Sequence, residues 1–71
     1  MKINWCRCIY EPRGENGLEG YLCGEKYRYE YRERDRDGKP YYRVYPVFLN
    51  NYYETCGTKV FSRYFKKIFK E

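Results

Sequence analysis

Cys6, Cys8, Cys23 and Cys56 hold the widest chemical options in this sequence. Four thiolates can close a tetrahedral structural zinc site. Cys-x-Cys, however, lacks the two-residue spacing of a zinc knuckle, and Cys23 and Cys56 stand alone. Buried thiols without metal are the plainer reading, and no cofactor is expected. Catalysis finds few parts. The chain has no histidine, which removes Cys/His and Ser/His nucleophile pairs. No glycine pattern matches a phosphate-binding loop, and the carboxylates between residues 25 and 37 alternate with arginines that solubility already explains. The expectation is a protein that is not an enzyme.

Binding chemistry has more material. The chain carries 15 Lys and Arg against 10 Asp and Glu, a net charge of +5. The excess is local: residues 58–71 hold five cations and one acid, whereas residues 1–57 are close to balance. Tyr41, Arg43 and Tyr45 form one candidate partner-binding group, and Lys59, Arg63, Lys66, Lys67 and Lys70 form another. Arg and Lys can meet phosphates or an acidic surface, and tyrosines can stack on bases. A solvated polar face is the plainer alternative for both groups, because Glu25, Glu30, Glu33, Asp35 and Asp37 dilute the first and surface helices often carry lysines outward.

The elements that position these residues follow from periodicity. Tyr27, Tyr29 and Tyr31 alternate with Arg28, Glu30 and Arg32, and Tyr42, Val44 and Phe48 are interleaved with Arg43, Tyr45 and Val47. Two period-two runs around Asp37-Gly38 predict a β-hairpin with a two-residue type I′ turn. That register sets Tyr31 opposite Val44, with Tyr27, Tyr29, Tyr31, Val44 and Phe48 on the core face. Arg28, Glu30, Arg32, Arg34, Tyr41, Arg43 and Tyr45 fall on the outer face, which reads as nearly charge-balanced. Ile3 to Tyr10 reads as a further strand whose buried side alternation alone leaves undecided. Pro12, Gly14, Asn16, Gly17 and Gly20 mark residues 11–20 as a loop, expected to be the most mobile part. Tyr21 to Gly24 reads as a short extended piece, Leu49-Asn50-Asn51 as a turn, and Tyr52 to Cys56 as a returning strand.

The period then changes. Phe61, Tyr64, Phe65 and Ile68 fall at i, i+3, i+4 and i+7, which predicts an amphipathic C-terminal helix capped by Thr58. Lys59, Arg63, Lys66, Lys67 and Lys70 occupy its opposite side as a basic ridge. The apolar stripe is expected to pack on the sheet; a helix lying on an anionic membrane is the less economical alternative.

Seventy-one residues make a single domain, 1–71, that buries about 60% of its unfolded surface. With 11 Tyr and 4 Phe, rings must supply most of the core. No apolar run reaches the roughly 20 residues of a membrane span, and the N-terminal residues lack an apolar signal-type stretch. A cytoplasmic location is therefore expected. The fold class expected is α+β, mainly β: a small antiparallel sheet or partly open barrel with one C-terminal helix.

Gly24-Glu25-Lys26-Tyr27, Asp37-Gly38-Lys39-Pro40-Tyr41-Tyr42-Arg43-Val44-Tyr45 and Tyr52-Tyr53-Glu54-Thr55-Cys56, with Phe61, Tyr64 and Phe65, resemble short uncharacterised proteins of phages and mobile elements. The likeness spans residues 24–69. It implies an SH3-like β fold with a terminal helix, carries over no catalytic residue, and implies binding to a host protein or a nucleic acid. The expected function is thus a binding module for a host protein, with nucleic-acid binding and a zinc-stabilised structural or assembly role as alternatives. The oligomeric state is left open.

Overall fold

Five strands and one short helix make up the described residues, 3–14, 17–33 and 36–69, of the computed structural model. They are β1 (Asn4–Cys8), β2 (Lys26–Arg32), β3 (Tyr41–Tyr45), β4 (Glu54–Gly57), α1 (Thr58–Tyr64) and β5 (Phe65–Ile68). The strands form one open antiparallel sheet in the order β4-β3-β2-β1-β5. The fold is therefore α+β and mainly β, an open sheet with a single helix. No helix among the described residues is long and apolar enough to cross a membrane.

Paired residues of an antiparallel sheet share a face, so the register sorts side chains into rows. On the inner face the rows are Phe65–Cys8, Lys67–Cys6–Tyr27, Asn4–Tyr29–Val44–Glu54 and Tyr31–Tyr42–Cys56. α1 lies over this face and touches β3, β4 and β5. Phe61 is its anchor, stacked on Tyr42 at 3.9 Å and 13°, with Tyr29 and Phe65 within 5.4 Å between ring centroids. The loop after β1 closes the rest, placing fully buried Leu18 and Tyr21 in the core. Tyr21 packs edge-on against Tyr27 and Phe65. A phenol taken out of water needs a partner, and the Tyr21 hydroxyl donates to the Val44 carbonyl at 3.1 Å. The Leu22 N–H donates to the Tyr27 oxygen at 2.7 Å.

Several expectations change. The hairpin keeps its parity but not its register, since Tyr31 faces Tyr42 and Tyr29 faces Val44. The connection is residues 33–40 rather than a two-residue turn, although Gly38 does take a positive φ of 77°. Tyr31 keeps its place on the expected core face, against Tyr42, but is half exposed at the end of β2, and Phe48 leaves that face. Phe48 lies beyond Pro46, where β3 has ended, and stacks on Trp5 of the outer face instead. No strand forms over residues 21–24; Cys23 and Gly24 are a turn, closed by the Glu25 N–H on the Leu22 carbonyl at 3.1 Å.

The C-terminal change is larger. α1 stops at Tyr64, and Phe65–Ile68 become a strand. Local spacing favours continuing the helix, but that would leave the outer edge of β1 without partners. Instead the Ile9 N–H donates to the Tyr64 carbonyl at 2.8 Å and four residue pairs follow. Thr58 is the first helical residue and not the cap; Gly57 occupies that place, with no side-chain capping bond.

Candidate functional site

The thiols point away from chemistry. Cys6 and Cys8 share the inner face of β1, which settles which side of that strand is buried, and Cys56 is buried on β4. The Cys6 thiol donates to the Tyr27 carbonyl at 3.4 Å. Burial, reinforced by the neighbouring Cys8 and Cys56, pushes the Cys6 thiol up to about 12, and burial with Glu54 nearby pushes Cys56 up to about 11. Groups held neutral in this way are poor nucleophiles and poor metal ligands. Cys23 is the exposed one. Among the described residues no three Cys, Asp or Glu side chains converge to hold a metal ion.

The basic ridge does not form. Lys59 and Arg63 remain on the exposed side of α1, whereas Lys66 and Lys67 sit on β5 with opposite orientation. Lys66 joins the outer face. Lys67 turns inward, its ammonium 5.1 Å from the Tyr42 ring centroid and held above its ordinary pKa first by a hydrogen bond to Tyr42. Lys70 lies outside the described residues.

The outer face of the sheet is where the remaining candidates meet. Its rows are Lys66–Arg7–Lys26, Ile68–Trp5–Arg28–Tyr45, Glu30–Arg43–Thr55 and Arg32–Tyr41–Gly57. Six cations thus share a strand face with Glu30 as its single acid. The near balance read from sequence does not hold there. Glu25, Glu33 and Asp37 fall in the connections at the strand ends, and β1 and β5 add Arg7 and Lys66 to the face. Asp35 and Arg34 lie outside the described residues.

On this face three of the six cations, Lys26, Arg28 and Arg43, lie over rings. The Arg28 guanidinium carbon is 3.8 Å from the Tyr45 ring centroid and 5.8 Å from that of Phe48. Arg43 sits 4.5 Å from Tyr53, and the Lys26 ammonium 5.1 Å from Trp5. Trp5 and Phe48 stack at 5.3 Å, and Tyr45 meets Tyr53 at 5.6 Å. Each cation gains about 0.5–1 kcal/mol or more from such a ring, and the array holds its charged heads flat on the sheet. Arg28 Nε and Arg43 Nε are buried without a hydrogen bond, while the terminal nitrogens reach acceptors: Arg28 donates to the Asn50 carbonyl at 3.4 Å and Arg43 lies 3.8 Å from Glu30.

Glu30 ties the middle of the array. It accepts from Arg32 at 3.2 Å and from the Tyr45 hydroxyl at 3.1 Å, and lies 3.8 Å from Arg43. Tyr45, expected as an exposed candidate, is nearly covered; burial first and Glu30 second push its phenol up. It is the floor on which Arg28 rests. Residues 46–53 form an exposed rim beside it, with Val47, Phe48, Leu49, Tyr52 and Tyr53 all accessible.

Sequence reasoning placed Arg28, Glu30, Arg32, Tyr41, Arg43 and Tyr45 on this face and assigned Lys66 to the helical ridge instead. It missed Trp5, Arg7 and Lys26 as members, and Phe48 and Tyr53 as ring partners. Period-two alternation identified the outer positions of β2 and β3, but only the β1–β2 and β1–β5 pairing joins the others to them. Comparison with protein-family models, with curated proteins and with solved structures finds no match, so the reading of this face rests on the chain's own residues.

Proposed function

We propose that the chain is a non-enzymatic binding module whose outer sheet face holds a single-stranded nucleic acid. The observation carrying this reading is the row arrangement of six cations among Trp5, Phe48, Tyr45 and Tyr53, with Glu30 as the only acid in the strands of that face. Phosphates would meet Arg7, Lys26, Arg32 and Lys66. Bases would lie on the exposed rings of Phe48 and Tyr53 and on the Arg28 plane, since guanidinium planes stack bases as aromatic rings do. Stacking on such platforms is worth about 1–3 kcal/mol per base. A duplex hides its base faces and would use the charges alone.

An acidic host protein would also be attracted to these charges, and the test separates the two. Fluorescence anisotropy with labelled single-stranded oligonucleotides, the matching duplexes and polyglutamate would be read at low and raised salt. Trp5, the single tryptophan, reports on the stack directly. The expected result is tighter binding of single strands, weakening with salt, with quenching of Trp5. Equal binding of polyglutamate without quenching would favour the acidic-protein reading. No binding at low salt would remove the nucleic acid altogether.

A further inference from the structure

We propose that the free edge of β5, together with the apolar groove beside α1, captures an extended acidic peptide by strand addition. This goes beyond the outer face, with which it shares Lys66 alone. β5 is an edge strand, with β1 on one side and no strand on the other among the described residues.

The register says which backbone groups project from that edge. The Ile9 N–H bonds the Tyr64 carbonyl, so Ile9, Arg7 and Trp5 turn their backbone groups toward the last strand. Opposite them Tyr64, Lys66 and Ile68 turn theirs inward. Phe65 and Lys67 consequently direct N–H and C=O outward. The Phe65 N–H is taken by the Phe61 carbonyl at the helix end. The Lys67 backbone is left as the docking rung.

Beside this edge lies a groove of about 380 Å³. Tyr42, Phe61 and Phe65 form its floor, and half-exposed Ile9 and strongly exposed Phe69 flank it. Ser62, Lys66 and Lys67 complete the lining, and no acid contributes to it. Strand addition takes affinity from main-chain hydrogen bonds and specificity from a pocket receiving alternate side chains. Here the pocket asks for an apolar side chain, and Lys66 on the opposite face of β5 asks for carboxylates at the alternate positions. The two lysines disfavour a second copy of β5, because like charges would be set across a new ladder. The occupant that fits is therefore a strand alternating apolar and acidic residues.

The probe is a fluorescein-labelled peptide of about eight residues alternating valine and glutamate, with a backbone-N-methylated analogue of the same sequence as control. Amide exchange followed by NMR on the intact chain gives the site. The expected result is binding that weakens with salt, slowing of the Lys67 amide by about tenfold or more, and loss of binding with the methylated analogue. Lys66→Glu should weaken the peptide severalfold while leaving the fold intact. Equal binding of the methylated analogue would overturn the proposal. So would an unprotected Lys67 amide at saturating peptide, or self-association of the free protein through that edge.

Discussion

Raising the pH should unfold this protein earlier than its charge alone would, because two core thiols are held neutral by burial. The ordinary thiol value is 9.0, and in the fold Cys6 stands at about 12 and Cys56 at about 11. Above pH 9.0 the unfolded chain gives up these protons and the folded chain keeps them. The stability the thiols confer is therefore complete below that value and drains as pH climbs toward the folded values. Each pH unit inside the window costs about 1.4 kcal/mol per thiol. At about pH 10 the pair has removed roughly 3 kcal/mol, against a total of about 4–10 kcal/mol for a chain of this size. Cys8, also raised by burial, acts in the same direction. Urea unfolding at about pH 7.5 and about pH 10 would measure the loss in wild type and in the Cys6→Ala/Cys56→Ala double variant. The tyrosines are common to both proteins, so the difference in slope belongs to the thiols. Wild type should lose about 3 kcal/mol more than the double variant between the two pH values. Equal losses would refute the reasoning, since the thiols would then ionise as easily folded as unfolded.

Arg28→Ala should cost about 1–2 kcal/mol by urea unfolding, because it removes the cation over Tyr45 and Phe48 and uncovers the Tyr45 ring. Arg28→Lys should recover only part, having no plane to lay on the ring. Glu30→Gln releases Arg32, Arg43 and the Tyr45 hydroxyl from their shared acceptor. If the outer face holds single strands, anisotropy should show roughly fivefold tighter binding at low salt, one contact charge in water being worth about 1 kcal/mol. Phe61→Ala removes the ring that joins α1 to the sheet, at a cost of about 3–5 kcal/mol. A calorimetric midpoint lowered by less than about 10 °C would show that α1 is held by other contacts. Thiol titration of the native protein should find Cys23 fast and Cys6, Cys8 and Cys56 slow, a pattern that urea abolishes.

The central strands were legible because burial there is a local matter of parity. Tyr27, Tyr29 and Val44 reach the core through alternation that any register differing by two residues preserves. The register itself was not, since Asp37-Gly38 is a strong turn signal and the pairing of Tyr31 with Tyr42 appears only when the strands are laid together. Phe61, Tyr64, Phe65 and Ile68 satisfy a helical stripe as well as any real helix does. What overrides the last part of it is the open edge of β1, some sixty residues away in sequence and invisible to a local window. The β1 and β5 part of the outer face was hidden for the same reason. Trp5 and Arg7 become neighbours of Arg28 and Lys26 through β1–β2 pairing, and Phe48 reaches Trp5 only because β3 ends before Pro46.

The placement of β5 beside β1 also sets the timing of assembly. β2 and β3 can pair through a short connection, and β4 can join them soon after, but β1 receives its second partner only from β5, about sixty residues further along. Closing so long a loop has an entropic cost that local pairing does not, so this contact should form late. During synthesis β1 would emerge before the other strands of the sheet and wait for β5. Its edge, with Trp5 and Ile9 alongside, would be exposed throughout that interval, and a chaperone would find its work there rather than in the tyrosine-rich hairpin.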